Sequence, residues 1–132
     1  MNKILNPKLE TLNKSKTQNS KQYDLGGRTL NFAKRVIAYV NNMPKSLSNI
    51  EVGKQLVRSA GSVGANYIEA EEALSRKDFV MRIKISRKES KESRYWLNLS
   101  KPEESKNEEK AELIQEATEL MKIFGSIVEK SK

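Results

Sequence analysis

Two Glu-x-x-Glu sets, Glu69 with Glu72 and Glu89 with Glu92, come nearest to a chemical constellation in this sequence. Carboxylates on neighbouring helices of a bundle can hold a pair of metal ions, but such sites add Glu-x-x-His on two of the helices. The chain has no His and no Cys. The first absence removes the usual general base and the commonest neutral metal ligand. The second removes any thiolate metal site and any disulfide framework. Ser is plentiful, yet no His can activate one and no Ser-x-x-Lys pattern stands out. The stretch GSVG from Gly61 to Gly64 is too short for a phosphate-binding loop. The residues therefore point to a non-enzymatic protein with no cofactor and no metal. A metal-dependent enzyme built on Glu69, Glu72, Glu89 and Glu92 remains as a third reading.

The elements that carry these residues read as helices. The chain is one domain of 132 residues with 3 Pro and 6 Gly, rich in Lys, Glu, Leu, Ala and Ser. Residues 1–22 hold five Lys against one Glu and few apolar side chains, which predicts a disordered basic tail. Residues 23–132 form the folded domain. A first helix runs from Leu25 or Thr29 to Asn42, with Phe32, Val36, Tyr39 and Val40 at helical spacing beside Ala33 and Ile37. Pro44 ends it. Ser48 or Asn49 then caps a second helix to about Leu74, with a stripe of Val52, Leu56, Ser59, Val63, Asn66, Ala70 and Ala73. Gly53, Gly61 and Gly64 interrupt it at about 1 kcal/mol each, which predicts close approach of a neighbouring helix or a kink.

Ser75, followed by Asp78, caps a third helix from Arg76 to about Ser100. The tight turn makes it antiparallel to the second. Lys101, Pro102 and Glu103 break the chain before a fourth helix, capped by Ser105 or Asn107 and reaching about Glu129. Its core stripe is Ala111, Ile114, Ala117 or Thr118, Met121, Phe124 or Gly125, and Val128. The fold class is all-α, an antiparallel up-down-up-down four-helix bundle.

The third helix presents three faces at about 100° per residue. Phe79, Ile83, Ser86, Ser90, Ser93 and Leu97 make the core seam, whose hydroxyls can bond back to the preceding turn without partners across the interface. Arg76, Lys84, Arg87, Lys91 and Arg94 occupy one flank, with Lys77 and Lys88 further round. Met81, Ile85, Glu89, Glu92, Trp96 and Leu99 occupy the other, a second apolar stripe that predicts a contact with another helix or subunit. Antiparallel pairing puts Arg58 level with Lys91 and Glu92, Ser62 near Arg87, Asn66 near Ile83, and Glu69 within reach of Arg82. Ion pairs from Arg58 to Glu92 or Glu89, and from Glu69 to Arg82, follow.

The net charge is +8, which favours polyanionic partners. No apolar run approaches the roughly 20 residues of a membrane span. The N-terminus lacks the apolar region of a secretory signal, so a cytoplasmic location is expected.

From Gln55 to Ser100 the chain reads QLVRSAGSVGANYIEAEEALSRKDFVMRIKISRKESKESRYWLNLS. It resembles the family of proteins related to the one encoded in intervening sequences of bacterial 23S ribosomal RNA. Gln55, Leu56, Arg58, Ser59, Ser62, Gly64, Ala65, Asn66, Glu69 and Ala70 match the family's second-helix pattern. Ser75, Asp78, Phe79, Lys88, Glu89, Glu92, Ser93, Tyr95, Trp96, Leu97 and Leu99 match the third. Ser86 and Ser90 replace the usual Ala, and Ser100 stands where Leu is common. The resemblance implies a four-helix bundle that assembles as a ring-like homo-oligomer, often a pentamer, with no established catalytic residues. It also suggests a distant likeness to the accessory variability protein of diversity-generating retroelements, a basic pentamer that binds nucleic acid and a reverse transcriptase.

The leading expectation is an oligomeric bundle that binds nucleic acid, structured RNA such as rRNA, through Arg76, Lys84, Arg87, Lys88, Lys91 and Arg94, with the N-terminal Lys as auxiliaries. The rival is a structural adaptor that scaffolds a protein partner such as a reverse transcriptase through the stripe of Ile85, Trp96 and Leu99.

Overall fold

A computed structural model describes residues 24–132. The expected N-terminal tail lies outside the described residues. Four α-helices follow one another: α1 (Leu25–Asn41), α2 (Leu47–Glu71), α3 (Arg76–Leu99) and α4 (Asn107–Lys130), with one 3-10 turn (Glu104–Lys106) before α4.

Local chemistry starts and stops each helix. The Asp24 carboxylate accepts the Gly27 N–H at 3.0 Å and opens α1. Met43 and Pro44 close it. Ser46 caps α2, accepting the Asn49 N–H at 3.1 Å, so the helix begins earlier than Ser48 or Asn49 would have it. Asn49 is instead buried and occupied elsewhere. Its amide donates to the carbonyls of Pro44 and Lys101, both at 2.9 Å, and its Oδ1 accepts the Lys101 N–H at 3.1 Å. It thereby ties the α1–α2 loop to the chain leaving α3. Ser75 caps α3 through the Asp78 N–H, as its spacing predicts. The 3-10 turn displaces the expected side-chain cap of α4, whose first turn carries Glu108 and Glu109 on the positive end of the helix dipole.

The core is Leu25, Phe32, Val36 and Tyr39 of α1, Leu56, Ala60 and Val63 of α2, Ile83 and Leu97 of α3, and Leu113, Ala117, Leu120, Phe124 and Val128 of α4. In α4 the buried stripe is displaced from the expected one. Leu113 and Leu120 are buried, Ala111 is exposed, and Ile114 and Met121 are half-buried. In α1, Ile37 is exposed rather than beside the core.

Contacts between neighbouring helices pair rising numbers with falling ones. On α1 and α2, Val40 meets Gly53 and Thr29 meets Gly64; a Cβ at those glycines would come within 2.9 Å and 3.0 Å of the α1 side chains. Two of the three glycines thus explain themselves by close approach of α1. Among the described residues nothing outside its own helix comes within 4 Å of where a Gly61 Cβ would lie. On α2 and α3 the Ser seam is fully buried. Ser86 donates across to the Val63 carbonyl, and the Ser59 and Ser93 hydroxyls meet, both at 2.9 Å. Ser90 and Ser93 also bond back to Ser86 and Glu89 carbonyls within α3. The seam therefore uses partners across the interface as well as the expected back-bonds, and small side chains there let the two backbones lie close. At the far end of α3, Ser100 donates to Leu97 at 2.6 Å and accepts from the Tyr39 hydroxyl at 2.6 Å. Burial raises the Tyr39 pKa, so this phenol stays a donor.

Candidate nucleic-acid interface

The third helix carries its basic residues along the side that meets α4. Lys84, Arg87, Lys91 and Arg94 recur at three- and four-residue intervals, so they line one edge over about 15 Å. Thr118 Oγ1 accepts Arg94 Nη1 at 3.2 Å, while the Thr118 hydroxyl proton goes to the Ile114 carbonyl. The Arg87 stem crosses Gly125, where a Cβ would lie 3.7 Å from Arg87 Cδ. Arg87 thus packs its stem and guanidinium over the Gly125 backbone at ordinary van der Waals distance. Arg76 donates to the Ser131 carbonyl at 3.1 Å. Lys84 and Lys91 are exposed. Lys88 turns toward the opposite flank, where its charge helps lower the Glu92 pKa. Among the described residues none of these six cations has an acidic ion-pair partner. The arginines that touch α4 are held by neutral oxygens or by packing, so their positive charge is oriented but not neutralised.

The α1–α4 seam treats arginine differently. Arg28 Nε and Nη2 reach the two oxygens of Glu116 at 2.8 and 2.9 Å, and Nη2 also reaches Glu119 at 2.6 Å. Arg35 pairs with Glu109 and Glu112, at 3.2 and 3.0 Å. These bonds raise both arginine pKa values, chiefly through Glu116 for Arg28 and Glu109 for Arg35. Nothing in local spacing pointed to Arg28 or Arg35, because their partners lie on α4.

The other flank of α3 is an ion-pair cluster. Arg58 of α2 lies 3.5 Å from Glu89 Oε1 and hydrogen-bonds Glu92 Oε2. Trp96 Nε1 donates to the same Glu92 oxygen at 3.0 Å. That indole bond, then Arg58, lowers the Glu92 pKa. Glu89 Oε1 is buried with no hydrogen bond of its own, so Arg58 neutralises it by charge alone. The expected pairing of Arg58 with both carboxylates is present. The expected Glu69–Arg82 pair is not. Arg82 Nη1 donates instead to Asn66 Oδ1 at 3.1 Å, and the Asn66 amide is anchored by the Ser62 carbonyl and hydroxyl. Asn66 lies closer along the antiparallel register and offers a fixed acceptor, while Glu69 faces solvent. Tyr95 stacks edge-on against Trp96, with ring centroids 5.0 Å apart. Trp96 and Ile85 are half-buried, and Met81, Tyr95 and Leu99 remain about half exposed.

The two Glu-x-x-Glu sets do not converge. Among the described residues no group of three or more carboxylates could hold a metal ion. No helix among them is long and apolar enough to cross a membrane.

A comparison with curated proteins finds no match. A solved structure is similar: a protein of unknown function from the S23 ribosomal protein family of Bacteroides thetaiotaomicron, 31% identical. The likeness covers 83% of this chain and 98% of that one, with a TM-score of 0.67. The family model described as 23S rRNA-intervening sequence protein matches residues 21–126, which take in all of α1, α2 and α3 and most of α4. The chain belongs to the 23S rRNA-intervening sequence protein family.

Proposed function

We propose that this chain is a non-enzymatic, cytoplasmic bundle of up-down-up-down order that binds the phosphate backbone of structured RNA through the α3 edge facing α4. One observation carries the reading. Among the described residues Lys84, Arg87, Lys91 and Arg94 line one edge without acidic ion-pair partners, while Arg28 and Arg35 are neutralised by Glu. Unneutralised cations in a row are what a phosphate backbone recognises, and such contacts give affinity without reading sequence. The ribosomal name of the Bacteroides relative's family accords with an RNA partner. Gel-shift titration of a structured RNA tests the reading. Retardation at low salt that fades as salt rises is the expected result; no retardation at low salt would refute it.

Exposed Met81, Tyr95 and Leu99 favour a second role for the opposite flank, self-association into a ring-like homo-oligomer or the seating of a protein partner. Light scattering that returned the 15.1 kDa monomer at micromolar concentration would exclude self-association. Charge reversal of Arg87 and Arg94 separates the two roles, because it abolishes RNA binding and leaves the assembly or the protein partner in place.

A further inference from the structure

The basic edge of α3 runs into an aromatic side chain. Tyr95 follows Arg94 directly and stands one turn beyond Lys91, and eleven residues, close to three full turns, separate it from Lys84. It therefore lies near the line of the two exposed lysines, where the basic edge borders the flank that carries Trp96. Tyr95 is 58% exposed. Every other aromatic side chain among the described residues is buried or half-buried.

The Tyr95 ring is also held in place. It packs edge-on against Trp96, with centroids 5.0 Å apart and ring planes at 75°. Trp96 is fixed in turn by the bond from its Nε1 to Glu92 at 3.0 Å, and Glu92 by Arg58 of α2. An edge-on contact leaves at least one face of a ring uncovered. Tyr95 thus offers a flat apolar surface, already oriented, beside a row of cations. A ring fixed before binding loses less entropy on binding.

Phosphate contacts and an aromatic platform select different features of an RNA. The row of cations accepts paired and unpaired strands alike. A base inside a duplex has both faces covered by its neighbours, so only an unpaired base can stack on a side chain. We propose that Tyr95 stacks on an unpaired base, so that the α3 edge takes RNA at a bulge or loop, with the flanking backbone on Lys84, Arg87, Lys91 and Arg94. This preference rests on the phosphate-backbone role of the same edge. Stacking is uncharged, so it adds affinity without adding salt dependence.

The test uses the full chain and two RNA probes, a hairpin with one bulged adenosine and the same hairpin fully paired. The unaltered protein should bind the bulged hairpin about tenfold more tightly, within the range of one base on one aromatic ring. Tyr95→Leu should erase that preference and leave the affinity and salt slope for the paired hairpin as they were. Tyr95→Phe should keep it. In proton NMR of the unaltered protein, the Tyr95 ring signals should move upfield with the bulged hairpin and stay in place with the paired one. Equal affinity for the two hairpins, a preference that survives Tyr95→Leu, or no upfield shift with the bulged hairpin bound overturns the stacking role and leaves the backbone role standing. Failure to bind either hairpin at low salt removes both. Loss of an assembly in light scattering of Tyr95→Leu, with the preference for the bulge retained, assigns Tyr95 to a protein contact and also overturns the stacking role.

Discussion

Two sets of arginines lie along α4 and differ in what holds them. Arg28 and Arg35, from α1, end on glutamates of α4 and are folded into the bundle's own electrostatics. Arg87 and Arg94, from α3, end on a glycine surface and a threonine hydroxyl. The first set spends its charge inside the molecule. The second is positioned by α4 yet keeps its charge for a partner outside it. A count of basic residues treats all four alike; the partners on α4 separate them.

The largest effect should come from Lys84→Glu with Lys91→Glu. Both side chains are exposed, so stability should change by no more than about 0.5 kcal/mol. RNA binding should vanish at about 150 mM salt, where backbone contacts are already weakened. Gel shift and urea unfolding of the same sample check both halves. Arg28→Ala should do the reverse. Its side chain is 15% exposed and its removal strands the 19% exposed Glu116. A loss of about 2 kcal/mol in urea unfolding is expected, with RNA affinity unchanged on the folded protein. Arg35→Ala sharpens the contrast at lower amplitude. Arg35 is 31% exposed and its partner Glu112 is 57% exposed, so the loss should stay below about 1 kcal/mol after solvent screening.

The smallest effect concerns the other flank. Trp96 and then Arg58 hold the Glu92 pKa below the usual carboxylate range in the folded chain. A lowered folded-state pKa contributes stability that is fully present above the unfolded carboxylate value and is lost as pH falls through the folded one. Trp96→Phe should raise the Glu92 titration midpoint, measured by carboxyl NMR, and narrow that acidic window. It should leave RNA binding intact.

The sequence was most legible where a helix carries its own pattern. The Ser seam of α3 and the Ser75 cap follow from spacing within one element. The Arg58 cluster followed from a register set by a short turn. Legibility fell where two patterns overlap or where a partner is distant. In α4, Ala111, Ile114 and Met121 interleave with Leu113 and Leu120 at equally helical spacing, and only packing against α1 and α3 decides between them. Ser46, Ser48 and Asn49 are all good caps, and what removes Asn49 is its bond to Lys101 beyond α3. Within the candidate site, the basic edge could be placed on α3 from the sequence. That Thr118 and Gly125 lie under it and that Arg28 and Arg35 are neutralised depended on α4, which no local signal reaches; Lys88 joins the other flank through Glu92, four residues further along α3 itself.

The salt dependence of RNA binding reads the charge of the α3 edge itself. Four phosphate contacts from Lys84, Arg87, Lys91 and Arg94 predict that the logarithm of the binding constant falls with the logarithm of salt at a slope of about −3. The slope should shrink by about 2 in the Lys84→Glu, Lys91→Glu protein. It should be unaltered in Arg28→Ala. A slope near zero, or the same slope in the α3 variant as in the unaltered protein, would mean that the α3 edge does not hold the RNA backbone.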